Sequence, residues 1–149
     1  MNSLQVYFFF WGTASSSVTF QYARPVSDIS DGAWLNETGS GIHLYTSIDE
    51  VSANDADYIY APSLSLCEIT LGDLSDPGVN TDHIMRYRAK GDGSTDLAVT
   101  LRDRNGDTIA TWTETNAAST LTTYEHTLTT TQAGNITDYT GLKLTIEAK

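Results

Sequence analysis

The 149-residue sequence predicts an all-β protein: a single antiparallel β-sandwich of the jelly-roll kind, with eight or nine strands. Three observations lead there. From Asp82 onward apolar residues recur with period two, in short runs separated by Gly, Asn and Asp. Asp103-Arg104-Asn105-Gly106-Asp107 supplies a hairpin turn between two such runs. The chain also holds 22 threonines, which favour strands, while helical spacing is confined to one turn near residues 131–135. A chain of this length hides ~68% of its unfolded surface, enough for one core and too little for two.

Taken in order, Val6-Tyr7-Phe8-Phe9-Phe10-Trp11 opens the strand set and is apolar at every position. An ordinary edge strand shows water one polar face, so this one lies centrally and is covered twice, or another subunit buries its outer side. Six such residues, at ~1.5–3 kcal/mol each when buried, would be an aggregation liability if exposed. Subunit contact is the expectation, with residues 1–23 as an apolar strand or arm and residues 24–149 as the sandwich domain. Val18, Phe20 and Tyr22 alternate in a second strand, which Arg24-Pro25 ends, because proline cannot donate to a ladder and pushes its predecessor toward extended geometry.

Tyr58 and Tyr60 share one face of a short strand, and Cys67, Ile69 and Leu71 form the buried side of the next. Met85, Tyr87 and Ala89 point one way, and Arg86, Arg88 and Lys90 the other. Leu97, Val99 and Leu101 repeat the pattern. With Asn105-Gly106 as a two-residue type I′ turn, Leu101 faces Ala110, Val99 faces Trp112 and Arg102 faces Ile109. Trp112 then joins the buried side and Ile109 is half exposed. Tyr124, His126 and Leu128 make a further strand, and Leu142, Leu144 and Ile146 the last.

Charge and cysteine content narrow the partners. A formal net charge of −11 repels phosphate backbones and anionic lipid, so neither nucleic acid nor a membrane is expected. A single cysteine, Cys67, closes no internal disulfide. Met1 to Leu4 carry no basic leader and the six-residue apolar run is far short of a span, so neither a signal peptide nor a membrane helix is read here. Arg86, Arg88, Lys90, Arg102 and Arg104 fall within nineteen positions. If their strands are neighbours, Arg86, Arg88 and Arg102 make a basic docking stripe for an acidic subunit. If not, they offset local acids such as Asp92, Asp96, Asp103 and Asp107.

Candidate sites are few. His43, His83 and His126 stand forty residues apart and read as ordinary strand or loop histidines. Asp49, Glu50, Asp55 and Asp57 are the densest acids, and a glycan hydrolase needs only two across a cleft. Asp103, Asn105 and Asp107 have the spacing of calcium-loop ligands but lack the closing Glu, and the hairpin accounts for the same residues without metal. Trp34, Tyr58 and Tyr60 could form an aromatic platform for sugar rings. No cofactor is expected.

One set of residues runs through most of the chain: Arg24-Pro25-Val26-Ser27-Asp28-Ile29, Trp34, Thr38-Gly39, Leu44-Tyr45, and Ile48-Asp49-Glu50 leading to Asp55 and Asp57-Tyr58-Ile59. Further on come Leu74-Ser75-Asp76-Pro77-Gly78, His83, Arg86-Tyr87-Arg88, Tyr124, Leu128 and Ile136-Thr137-Asp138-Tyr139-Thr140 before Leu142. In these residues, from Arg24 to Glu147, the chain resembles a family of small virion proteins of tailed bacteriophages. None is a catalytic signature. The resemblance implies a non-enzymatic structural protein of the virion. The leading expectation is a capsid decoration, or cement, protein that binds assembled major capsid protein and copies of itself. A tail or fibre component gripping host glycans through Trp34, Tyr58 or Tyr60 is the alternative, and a carboxylate-dependent glycan hydrolase the second.

Overall fold

Two antiparallel sheets share one hydrophobic core in the computed structural model, which describes residues 2–14, 17–50, 52 and 54–149, with side chains described from residue 21 onward. The strands are β1 (Asn2–Ala14), β2 (Ser17–Ala23), β3 (Pro25–Ser30), β4 (Leu35–Asn36), β5 (Ile59–Ala61), β6 (Ser65–Leu71), β7 (His83–Lys90), β8 (Leu97–Arg102), β9 (Thr108–Glu114), β10 (Thr122–Thr127) and β11 (Lys143–Ala148). The first sheet runs β10-β7-β1-β5-β4 with β2 also on β1; the second runs β3-β6-β11-β8-β9. The chain crosses between sheets at Arg24-Pro25, where β2 gives way to β3, at the residues expected to end the second strand.

The alternation works as expected in the long strands. His83, Met85, Tyr87 and Ala89 are buried on β7, as are Cys67, Ile69 and Leu71 on β6 and Leu144 and Ile146 on β11. Burial also pushes the Cys67 thiol far above its ordinary range, so it stays a protonated core residue. Eleven strands are found among the described residues, where eight or nine were expected. The two that escaped the pattern are β4, only two residues long, and β3, whose pairing with β6 slips at Val26 and Ile29. Each slip is a bulge, and a bulge breaks the period of two.

The β8–β9 hairpin departs from expectation in one detail. Leu101 faces Ala110 and Val99 faces Trp112, but Arg102 pairs with Thr108. The Asp103 amide bonds the Asp107 carbonyl at 2.9 Å and the Gly106 amide the Asp103 carbonyl at 3.0 Å, and only Gly106, at φ 93°, takes the left-handed conformation. The connection is therefore one residue longer than a type I′ turn, and the surplus appears as a bulge at Ile109. That bulge turns Ile109 inward, to 6% exposure instead of half.

The short helix α1 (Thr130–Gly134) sits where one turn was read near 131–135. Thr129 and Gln132 form a reciprocal capping box at its start, and Ala133 faces the core. No helix among the described residues is long and apolar enough to cross a membrane.

The passage from β3 to β4 turns on Gly32. Its φ is +57°, and a Cβ there would lie 2.0 Å from the Leu66 carbonyl oxygen. Left-handed geometry alone costs a side chain ~1–2 kcal/mol, and the overlap is with backbone that cannot step aside. Gly32→Ala should lower stability by more than ~2 kcal/mol, read as a shift in the urea midpoint with unchanged slope.

Candidate functional site

The N-terminal strand is central in its sheet. Ser3 to Phe10 pair with β7, Asn2 to Leu4 with β5, and Phe8 to Ala14 with β2. Val6, Phe8 and Phe10 are the cross-strand partners of Tyr87, Met85 and His83, all buried, so these positions belong to the inner face. Tyr7 and Phe9 are paired with Arg86 and Ile84, and Phe9 also with Tyr22, which is 42% exposed. Their positions, with Trp11 and its partner Phe20, therefore belong to the outer face. The side chains of the expected contact residues Val6 to Trp11 lie outside the described residues. Among the described residues, β1 pairs from Trp11 to Ala14 with β2 alone, as a two-stranded ribbon beyond its ladder with β7.

The basic stripe does not form, because β7 and β8 belong to different sheets. Arg86 bonds Glu125, its cross-strand partner on β10. Arg88 grips Asp55 with two bonds of 2.8 and 3.0 Å, and that guanidinium holds the Asp55 carboxyl below its usual range. Arg102 spends its donors on Thr145, Thr108 and the Gly106 carbonyl. Arg104 pairs with Asp138, whose carboxyl is held down to about 2 by Thr140 and then by the arginine. Arg86, Arg88 and Arg104 are each neutralised by a carboxylate, but by Glu125, Asp55 and Asp138 and not by the expected Asp92, Asp96, Asp103 or Asp107, and the bonds of Arg102 go to hydroxyls and a carbonyl.

The glycan candidates separate as well. Trp34 has no exposed surface and donates its ring N–H to the Ser65 carbonyl at 3.2 Å, so it is core and unavailable to a sugar. A tryptophan in a glycine-rich stretch looked exposed, but the Gly32 turn folds it under β6. Tyr58 and Tyr60 are half-buried, with ring centres 6.1 Å apart and planes inclined at 52°, which is no flat platform. Asp103 accepts the Asn105 and Asp107 amides at 2.9 and 2.8 Å, so its carboxylate closes the turn. Among the described residues no three metal-ligating side chains gather around one point.

In the acidic segment, Asp57 accepts from Asn54 at 2.6 Å and Asp55 is held by Arg88. Glu50 differs: burial lifts its carboxyl above the usual range, and the charges of Asp57 and Asp49 add to the lift.

Two polar clusters that the sequence did not announce are formed, one partly buried and one buried. Glu114 on β9 accepts from the Tyr87 hydroxyl at 2.5 Å and from His126 Nε2 at 2.8 Å, while His126 lies 3.1 Å from the same hydroxyl and stacks on Trp112. Burial and the adjacent carboxylate push the Tyr87 phenol far up, so it remains a donor. The group joins the edge of the second sheet to β7 and β10 of the first, a clasp across the layers. The signal was available: Trp112 and Glu114 share a phase with the buried side of the hairpin.

The other cluster is His83, fully buried, whose Nε2 lies 2.7 Å from the Tyr139 hydroxyl and whose Nδ1 lies 2.9 Å from the Thr81 carbonyl. Burial raises Tyr139 to about 12, so it donates to Nε2 and leaves the Nδ1 proton for Thr81.

A cleft of about 540 Å³ opens between β3 and the loop leading into the 3-10 turn Leu44–Ser47. Both Asp28 carboxylate oxygens accept backbone amides, of Leu44 at 2.8 Å and Tyr45 at 2.9 Å, and so fix that turn against β3. His43 precedes it in left-handed conformation, φ 57°, with its ring edge-on to Tyr45 at 6.1 Å. Ile29, 47% exposed, and Ile42, 66% exposed, line the cleft with Asp31 and the serines of β3.

No family model, no curated protein and no solved structure matches the chain. The sandwich and its sites therefore rest on this chain's own geometry.

Burial lowers the basicity of His83 below its ordinary 6.5. The unfolded chain takes up this proton as pH falls through 6.5 while the folded chain does not, so stability is present above that value and is lost below it. Between pH ~7 and ~5.5 stability should fall by up to ~1.4 kcal/mol per pH unit, and His83→Gln should flatten that slope in urea unfolding.

Proposed function

We propose that this chain is a non-enzymatic structural protein of a bacteriophage virion, a capsid decoration protein that docks on assembled capsid subunits through its N-terminal ribbon. The observation that carries the reading is the β1–β2 ribbon itself. Among the described residues it pairs with no other strand beyond Phe10, although its sequence there holds Trp11, Val18 and Phe20. An isolated two-stranded ribbon is marginal in water, and apolar residues on it are stabilised when another surface covers them. The virion setting comes from the resemblance of residues 24–147. The acids that hydrolysis would recruit are in part committed elsewhere, Asp55 to Arg88 and Asp57 to Asn54, which favours the structural reading over the hydrolytic one.

Deleting residues 1–13 would remove a central strand, so the test uses point changes. Trp11→Glu combined with Phe20→Lys replaces an apolar cross-strand pair by an opposite-charge pair and keeps the ribbon. This variant should keep its circular dichroism spectrum and lose at least ~10-fold in affinity for purified capsids, or ~1.4 kcal/mol. Quantitative gels of purified virions should give a copy number near that of the capsid protein or its symmetry sites. Absence from virions, or undiminished capsid binding by the variant, overturns the reading.

A further inference from the structure

We infer that the cleft between β3 and the 3-10 turn is a binding site for a neutral sugar, distinct from the N-terminal docking ribbon and on the other sheet. Its volume of about 540 Å³ lies within the ~300–1,000 Å³ of small-molecule sites. Its walls are of two kinds. Ile29, Ile42 and the ring of Tyr45 offer apolar surface, and Ile42 at 66% exposure is costly to leave in water unless something rests on it. Ser27 and Ser30, on β3 with Ile29, and Asp31 just beyond it add hydroxyl and carboxylate groups to the lining.

A pyranose ring has that same division, with a C–H face and a rim of hydroxyls. The carboxylates of Asp28 and Asp31 repel an anionic ligand, and Asp28 already has both oxygens on backbone amides. That leaves Asp31, exposed at the mouth, as the acceptor for a hydroxyl pair. A cationic peptide would find one available carboxylate beside two isoleucines, a poorer match than a polyol. The scaffold is also pre-set: the two Asp28 bonds hold Tyr45, and the left-handed His43 places its ring at the rim.

The test is saturation-transfer NMR on the full chain with the methyl glycosides of glucose, galactose, N-acetylglucosamine and rhamnose, beside a hexalysine peptide. At least one glycoside should bind with Kd near ~1 mM, as suits a single ring in an open cleft. Ile42→Asp, at a position exposed enough to leave folding intact, and Asp31→Asn should each weaken that binding at least ~5-fold, or ~1 kcal/mol. His43→Asn, which tolerates the left-handed backbone, should weaken it less. No transfer to any glycoside, binding unchanged in both Ile42→Asp and Asp31→Asn, or displacement of the glycoside by hexalysine would overturn the inference. None of these outcomes bears on capsid docking, which is read from the ribbon and from virion copy number.

Discussion

The pairing of β1 with β7 is the constraint on which the rest of the molecule depends. It joins Ser3–Phe10 to Lys90–His83, segments some eighty positions apart, and sets which alternates of both strands face inward. Every other strand of the first sheet is placed from these two: β10 on the far side of β7, β5 and β2 on the far side of β1. The closure entropy of so long a loop grows only slowly with length, so a ladder of eight residue pairs, most of them apolar on the inner side, offsets it. This is the physical use of an N-terminal strand that is apolar at every position from Val6 to Trp11. From Ser3 to Phe10 the strand is paired with β7, and on its other side with β5 and β2, so over that stretch it is an interior strand of the sheet.

Where the two sheets meet, polar groups decide how they are matched. Tyr87, Glu114 and His126 satisfy one another across the layers, and His83, Tyr139 and Thr81 do the same within reach of the first sheet's end. A buried donor without a partner costs ~1–3 kcal/mol, so an alternative register that separated these groups would be penalised at several points together. The apolar core alone would tolerate more ways of stacking two flat sheets.

At the surface, the net charge of −11 is not spread evenly. Arg86 and Arg88 neutralise Glu125 and Asp55 beside the N-terminal strand, so the outer face of the first sheet is nearly balanced while carboxylates dominate elsewhere. The cleft on β3 belongs to a different part of the design. It exists because two bulges bend the edge strand and expose Val26 and Ile29, a device that also blunts edge-to-edge pairing.

Much of the fold was legible in the residues. Alternation in Cys67–Leu71 and Met85–Ala89 determined strand identity and the buried face, because burial between sheets acts there on every second residue, while Leu97–Leu101 and Leu142–Ile146 were legible as strands although Ala98, Thr100 and Thr145 on their other face are buried as well. The hairpin of Asp103–Asp107 was legible too, apart from the one-residue bulge that turned Ile109 inward. Strand order was not legible, since pairing depends on partners far apart in the chain. The arginines of β7 and β8 looked contiguous and lie on opposite sheets. Trp34 looked like a surface ring and is core, because a left-handed turn at Gly32 folds it under β6. The same limit hid the Glu114 clasp and the Asp28 cleft, each assembled from strands or loops that only the packing of the two layers brings together. Local periodicity reports what a residue needs, and the tertiary structure decides which distant residue meets that need.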